Sequence, residues 1–326
     1  MSFEIEVLLV SFAISIILGI ITIPILRKLK VGQIERDDGP ASHLKKQGTP
    51  TMGGIIIIIT MIIGTIATAV YLYATGESEL ATKLVPILLL TIGFGAIGFI
   101  DDYKKLVLKN TEGLKPSYKM LGLLIISVAY VLYLIEGLKL GTDTYIPITK
   151  QYITLPLYIY VPAAICVILG TTNAINLTDG IDGLSSSVST IIITCLTVIG
   201  MLRGVTEVSV FGSIVIGSIL GFLMFNLHPA KVFMGDTGSL MLGGVISSIA
   251  LYLKMPLLLV VIAIIPVLEA LSDIIQVMYY KKTGKRVFKM APLHHHFELS
   301  GWKENKIVVV FSLITLIACA VGLKII

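Results

Sequence analysis

Charge is what this sequence has least of. Asp, Glu, Lys and Arg make up 14% of 326 residues, against about 25% in an ordinary soluble domain. A soluble fold this poor in charge would have too little polar surface to face water, so the bilayer must be the solvent. Alternating polar and apolar residues are also missing. Runs such as Gly54 to Ile59 are continuously apolar. In lipid every backbone polar group must pair internally, which leaves helices or a closed barrel, and a barrel strand alternates. The chain is therefore read as an all-α polytopic membrane protein. Cysteine is scarce: Cys166, Cys195 and Cys319 lie far apart inside apolar segments. That spacing offers neither a disulfide framework nor a zinc site. No internal repeat and no separate soluble stretch interrupts the pattern, so residues 1–326 are expected to form one membrane-embedded domain. A cleavable signal peptide is not expected, because the first apolar run (7–26) is long and no small-residue cleavage site follows it.

What the sequence has in abundance is apolar length. Hydrophobic residues reach 56% and mean hydropathy is +0.95. About ten transmembrane helices are expected, at roughly 20 residues per span, over approximately 7–26, 53–74, 84–100, 120–135, 155–172, 184–202, 208–227, 239–253, 256–280 and 307–323. Pro266 should kink the long ninth segment. Loops then alternate between two faces, and those after odd-numbered segments carry 19 of the 25 basic residues. The positive-inside rule puts that face in the cytoplasm and both termini outside. The net charge of +5 is thus local. It suits topology and anionic lipid better than nucleic acid. On the outer face, residues 144–160 are rich in β-branched and aromatic side chains and suggest a short β-hairpin.

Polar residues cluster on the basic face. Asp101-Asp102 follow the third segment, Asp179 and Asp182 the fifth, His228 and Asp236 the seventh, and His294-His295-His296 the ninth. All five histidines, counting His43, fall in these loops. Polar groups near membrane depth are costly and tend to be functional. Asp101 and Asp102 would point about 100° apart on a helix, which allows them different roles. N-A-I-N-L-T-D-G-I-D-G-L (173–184) looks like a calcium-loop fragment but lacks the twelve-residue ligand pattern. Asp236, between two glycines, reads either as a helix N-cap or as a Mg²⁺ ligand. Three consecutive histidines diverge on a helix, unlike zinc spacing, and suit a diphosphate better. K-K-Q-G-T-P-T-M-G-G (45–54) is not a P-loop, because its lysines precede the glycines. Glu269, Asp273 and Gln276 share one face of the ninth segment. Together these features point to Mg²⁺-assisted phosphate chemistry at the membrane lip.

These motifs, with I-G-F-I-D-D-Y, V-F-M-G-D-T-G-S-L and M-A-P-L-H-H-H-F-E, occur in order over nearly the whole chain. The set resembles the phospho-N-acetylmuramoyl-pentapeptide transferase (MraY) family, within the polyprenyl-phosphate sugar-phosphate transferases. The resemblance implies transfer of phospho-MurNAc-pentapeptide from its UDP carrier to undecaprenyl phosphate, giving lipid I and UMP, with Mg²⁺, in a bacterial inner-membrane homodimer. It implies a catalytic set of Asp101, Asp102, Asp236 and His294. Asp101 would be base toward the lipid phosphate, Asp102 a metal or lysine partner, and Asp236 the Mg²⁺ ligand. Lys46, Thr51, Lys119, Asn173, Asn176, Asp179, Asp182, Asn226, Phe233, Gln276 and His294, His295 and His296 would line the nucleotide-sugar and diphosphate site. Phe233 and the turn Gly180-Ile181-Asp182 would face uracil. A related GlcNAc-1-phosphate transferase and, more remotely, an ion-coupled transporter are the competing readings.

Overall fold

The computed structural model describes residues 2–29, 46, 48–108 and 113–326. Of the residues used above for topology, Lys30, Arg36, His43, Lys45 and Lys109 lie outside the described residues. The elements are α1 (Phe3–Lys28), α2 (Gly54–Ala74), α3 (Ser78–Leu106), α4 (Pro116–Leu132) continued by a π turn (Tyr133–Gly137), β1 (Asp143–Ile146), β2 (Gln151–Thr154), α5 (Leu157–Thr178), α6 (Leu184–Leu202), α7 (Thr206–Asn226), α8 (Gly235–Tyr252), a 3₁₀ turn (Pro256–Leu258), α9 (Leu259–Ile262), α10 (Ile264–Thr283), α11 (Leu293–Glu298) and α12 (Glu304–Lys324).

Among the described residues, eight helices are long and apolar enough to span a bilayer, or nine counting the bent pair of Pro256–Ile262 and Ile264–Thr283. The expected tenth span is α8, and its environment explains the difference. Every residue from Thr237 to Tyr252 is buried, with α2, α3, α5 and α6 packed around it. A helix enclosed by helices need not match lipid. It is instead rich in small residues that let backbones approach. Gly243 sits against the Thr172 backbone of α5, and a Cβ there would overlap it. Ser247 and Ser248 return their hydroxyls to the α8 backbone, which satisfies them without water.

The ninth segment does bend, by 84°. The break falls at Ala263, three residues before Pro266. A proline denies a hydrogen bond to the carbonyl four residues earlier and its ring crowds that carbonyl. Here that residue is Ile262, the last of α9.

The expected hairpin forms as an antiparallel pair with Asp143 opposite Thr154 and Ile146 opposite Gln151. It is shorter than the patterned stretch, because Leu157 already opens α5. Tyr145 N–H donates to the Lys254 carbonyl, and Lys254 pairs with Asp143 at 3.0 Å. The hairpin therefore sits at the C-terminal end of α8, the opposite end from Asp236.

Candidate active site

Three helix ends converge where α8 begins. The C-terminal part of α3 carries Asp101 and Asp102, α5 ends at Thr178 just before Asp179, and α8 starts at Gly235. Gly98 and Gly54 make the convergence possible. A Cβ on Gly98 would overlap the Asp236 carbonyl, and one on Gly54 would overlap the backbone of Gly238. The loop before α2 is held to the loop before α8 by backbone bonds: Phe233 N–H to Pro50 O, Gly53 N–H to Phe233 O and Gly54 N–H to Met234 O. This places buried Thr51 beside Gly235.

The two adjacent aspartates do separate tasks. Asp102 accepts from the backbone N–H groups of Asp236 (3.2 Å) and Thr237 (2.9 Å) and from the Thr237 hydroxyl (2.6 Å). It thereby caps α8 from a neighbouring helix, where the unpaired N–H groups and the helix dipole favour an anion. Asp236 is not its own helix cap. Its side chain turns outward and accepts from Lys119 (2.8 Å), Lys105 (3.3 Å) and the Asn176 amide (2.8 Å). Asp101 accepts the Leu114 N–H at 2.7 Å and pairs with Lys105, one turn along the same helix. The lysine contact expected of Asp102 thus falls to Asp101 and Asp236, since Asp102 faces α8 and Asp101 faces its own i+4 neighbour.

Asp101, Asp102 and Asp236 each offer a carboxylate oxygen within 4.8 Å of the others. An all-oxygen set of this kind suits a hard cation such as Mg²⁺. Asp179 donates its backbone N–H to Asn176 O, and its carboxylate lies within electrostatic reach of Asp236, Asp102 and Asp182. Burial first, and then those three carboxylates, push its pKa up to about 8.

A second cluster lies beside the first. Lys46 bridges Asp182 (2.8 Å) and Glu304 (2.6 Å). Asp182 also accepts from Ala230 N–H (3.0 Å) and sits 2.9 Å from His228 Nδ1. Burial opposes the charge on both Lys46 and Asp182. Their mutual attraction, with Glu304 on the lysine side and Ala230 on the aspartate side, outweighs it. Lys46 is therefore held above its ordinary pKa and Asp182 below. The Lys46 ammonium also stands 5.9 Å from the centre of the half-buried Phe233 ring. Ile181 is buried in the same turn.

The remaining expected site residues are held by contacts of their own. Asn173 donates to its own helix at Leu169 O. Asn226 is buried, donating to Val232 O and accepting from Ser186. Gln276 staples the chain after α10, accepting from Val287 and Phe288 N–H and donating to Phe288 O. His296 Nδ1 accepts from Lys289 N–H, and His295 lies 2.8 Å from Glu298. His294 is wholly buried.

Comparison with known proteins now decides the family. Residues 84–254 match the model for glycosyl transferase family 4, and residues 46–58 match phospho-N-acetylmuramoyl-pentapeptide-transferase signature 1. A phospho-N-acetylmuramoyl-pentapeptide-transferase of Acetivibrio thermocellus is 48% identical over 318 residues, covering 97% of this chain and 93% of that protein. One of the same name from Clostridium botulinum is 49% identical over 97% of this chain and 94% of its own length. Another, from Halalkalibacterium halodurans, is 46% identical over 93% and 91%. The chain belongs to the phospho-N-acetylmuramoyl-pentapeptide-transferase family. It is a multi-pass membrane protein and a phosphosugar transferase by that membership. The signature opens on Lys46 and spans Thr51, so it covers the strand of loop that ties the second cluster to the start of α8.

Sequence reasoning passed over Lys105 and Glu304 as site residues. Lys105 was visible, being four residues after Asp101 on one helix. Nothing in the sequence links Glu304 to Lys46, 258 positions away.

Proposed function

We propose that this protein transfers phospho-MurNAc-pentapeptide from UDP-MurNAc-pentapeptide to undecaprenyl phosphate, releasing UMP and forming lipid I. The observation that carries the reading is the meeting of Asp101, Asp102 and Asp236 with Lys105, Lys119 and Asn176 at one end of the bundle. Three carboxylates and two ammonium groups in one place suit a metal-bound diphosphate and little else in a membrane lip. Mg²⁺, when bound, would supply charge neutralisation on the phosphate oxygens. Asp236 and Asp102 are the residues that would hold it.

The chain's own groups supply the rest. Lys105 and Lys119 would turn from Asp236 toward incoming phosphate oxygens. Asp101, braced by Leu114 N–H, would take a proton from the lipid phosphate. A lipid phosphate oxygen then attacks the β-phosphorus that carries the sugar, its bond to the bridging oxygen breaks, and UMP leaves. Phe233 and the Gly180–Asp182 turn would hold the uracil, with Lys46, Thr51, Asn173, Asn226, Gln276 and the histidines around the nucleotide sugar. The same reading places the site at the cytoplasmic face of a bacterial inner membrane, both termini outside, in a homodimer. The hairpin at the opposite end of α8 from Asp236 supports that orientation, because the sequence assigns the two to opposite faces.

Purified protein in lipid nanodiscs, given UDP-MurNAc-pentapeptide and undecaprenyl phosphate, should release UMP and form lipid I in a Mg²⁺-dependent manner. EDTA should abolish both. Asp236→Asn should raise the Mg²⁺ concentration needed, and Asp101→Asn should mainly lower turnover, each by about 10²-fold or more. Preference for UDP-GlcNAc as donor, or near-normal activity in both variants, would overturn the assignment.

A further inference from the structure

Among the described residues, Glu269 and His294 form a fully buried ionisable pair apart from the carboxylate–lysine cluster. Both residues are 0% exposed. Glu269 lies in α10, one turn past Pro266, and His294 is the second residue of α11, 25 positions later. Two separate contacts join them. The His294 backbone N–H donates to the Glu269 carboxylate, at 3.3 and 3.4 Å to its two oxygens. The imidazole Nδ1 stands 3.2 Å from Oε2 of the same carboxylate, an approach without hydrogen-bond geometry. A carboxylate placed fully inside protein is costly unless something compensates it. Its side chain has no other partner among the described residues.

The far edge of the ring explains why such a pair is kept. Nε2 of His294 rests directly against Gly180, so closely that a Cβ at that position would overlap it. Gly180 joins Asp179 to Ile181-Asp182. The imidazole therefore packs behind the turn that presents both carboxylates.

We propose that Glu269 is a positioning residue: it fixes the His294 ring and the first turn of α11, and through that ring sets the Gly180 turn that carries Asp179 and Asp182. The inference rests on the transferase reading for its effect on rate, but not for the contact itself. Removing Glu269 should act only through His294, and that can be measured.

The test is a double-mutant cycle with Glu269→Gln and His294→Asn, which leave a polar amide at each position, assayed for lipid I formation in nanodiscs. Each single change should lower kcat by about 10–100-fold, the size expected on losing an outer partner of a functional histidine. KM should move little. The double variant should be no slower than the slower single variant, because the two residues act as one unit. Glu269→Asp, with the charge kept but shortened, should recover part of the loss. Multiplying effects, or a loss confined to KM, would overturn the proposal.

A second readout does not need activity. In ¹⁵N-histidine spectra of the full chain, the resonances absent from His294→Asn identify that ring. Glu269→Gln should shift those resonances and leave the other four histidines in place. An unshifted His294 would refute the contact. If the unaltered chain formed no lipid I yet His294 shifted as expected, the transferase reading would fail while the Glu269–His294 pairing stood.

Discussion

Lys46 is the residue whose surroundings make the sharpest statement. One ammonium holds two carboxylates, Asp182 from the middle of the chain and Glu304 from near its C-terminus. The signs follow from the shifts. Asp182 has its pKa lowered, so its contribution to stability is complete above the ordinary value of 3.8 and is lost as pH falls through the depressed pKa. Lys46 has its pKa raised, so its contribution is complete below 10.5 and is lost as pH rises past that value. The latch should hold across the whole neutral range. Thermal melts of the protein and of Asp182→Asn should differ by a constant amount between about pH 5 and pH 9. The gap should close in stronger acid. Removing one partner of a buried pair costs about 3–5 kcal/mol, so a gap too small to measure at pH 7 would contradict the latch.

At the scale of elements, α8 organises the bundle. It is polar at one end, where Asp102 caps it, and small and tightly packed along its length. Its neighbours come close because glycine lets them. Gly243→Ala should therefore push α5 away and cost about 1–3 kcal/mol, since the obstacle is backbone that cannot rotate aside. Gly170→Ala in α5 is the matched control. A Cβ there meets nothing within 4 Å, and alanine favours the helix by up to about 1 kcal/mol. Unfolding in detergent with a denaturant series would compare the two. Equal losses would mean that close approach to α8 is not what holds α5. The pattern also shows what apolar periodicity could and could not reveal. Segments facing lipid, such as α1 and α12, were plain from hydropathy. In α8, the segment boundaries were legible but its enclosure was not, because glycine and serine read the same in a loop and in a packed helix. The break in the ninth segment was legible from Pro266, whereas its place at Ala263 needed the backbone.

For the whole molecule, orientation decides which compartment the site meets. The hairpin and the carboxylate cluster lie at opposite ends of a buried helix about 27 Å long, close to the thickness of the hydrocarbon core. With Cys166, Cys195 and Cys319 replaced by serine or alanine, single cysteines can report each face. A cysteine at exposed Ile148 in the hairpin turn should react with a membrane-impermeant maleimide in intact cells. One at exposed Lys285 should react only after the membrane is opened. The reverse pattern would invert the topology and remove the site from the cytoplasm.

Composition and residue order are enough for the solvent, the helical class, the approximate spans and the residues worth attention. Charge is too sparse and apolar runs too long for any other outcome, and Asp101, Asp102, Asp179, Asp182, Asp236 and the five histidines fall in loops of one parity. Tertiary structure alone decided which of those residues touch. Asp101 and Asp102 are neighbours in the chain yet serve different partners, because a helix turns them apart and only one faces α8. Glu304 and Glu269 gained their roles from segments hundreds or tens of residues away. Contacts at such distances depend on how helices pack, and packing is set by many small residues together.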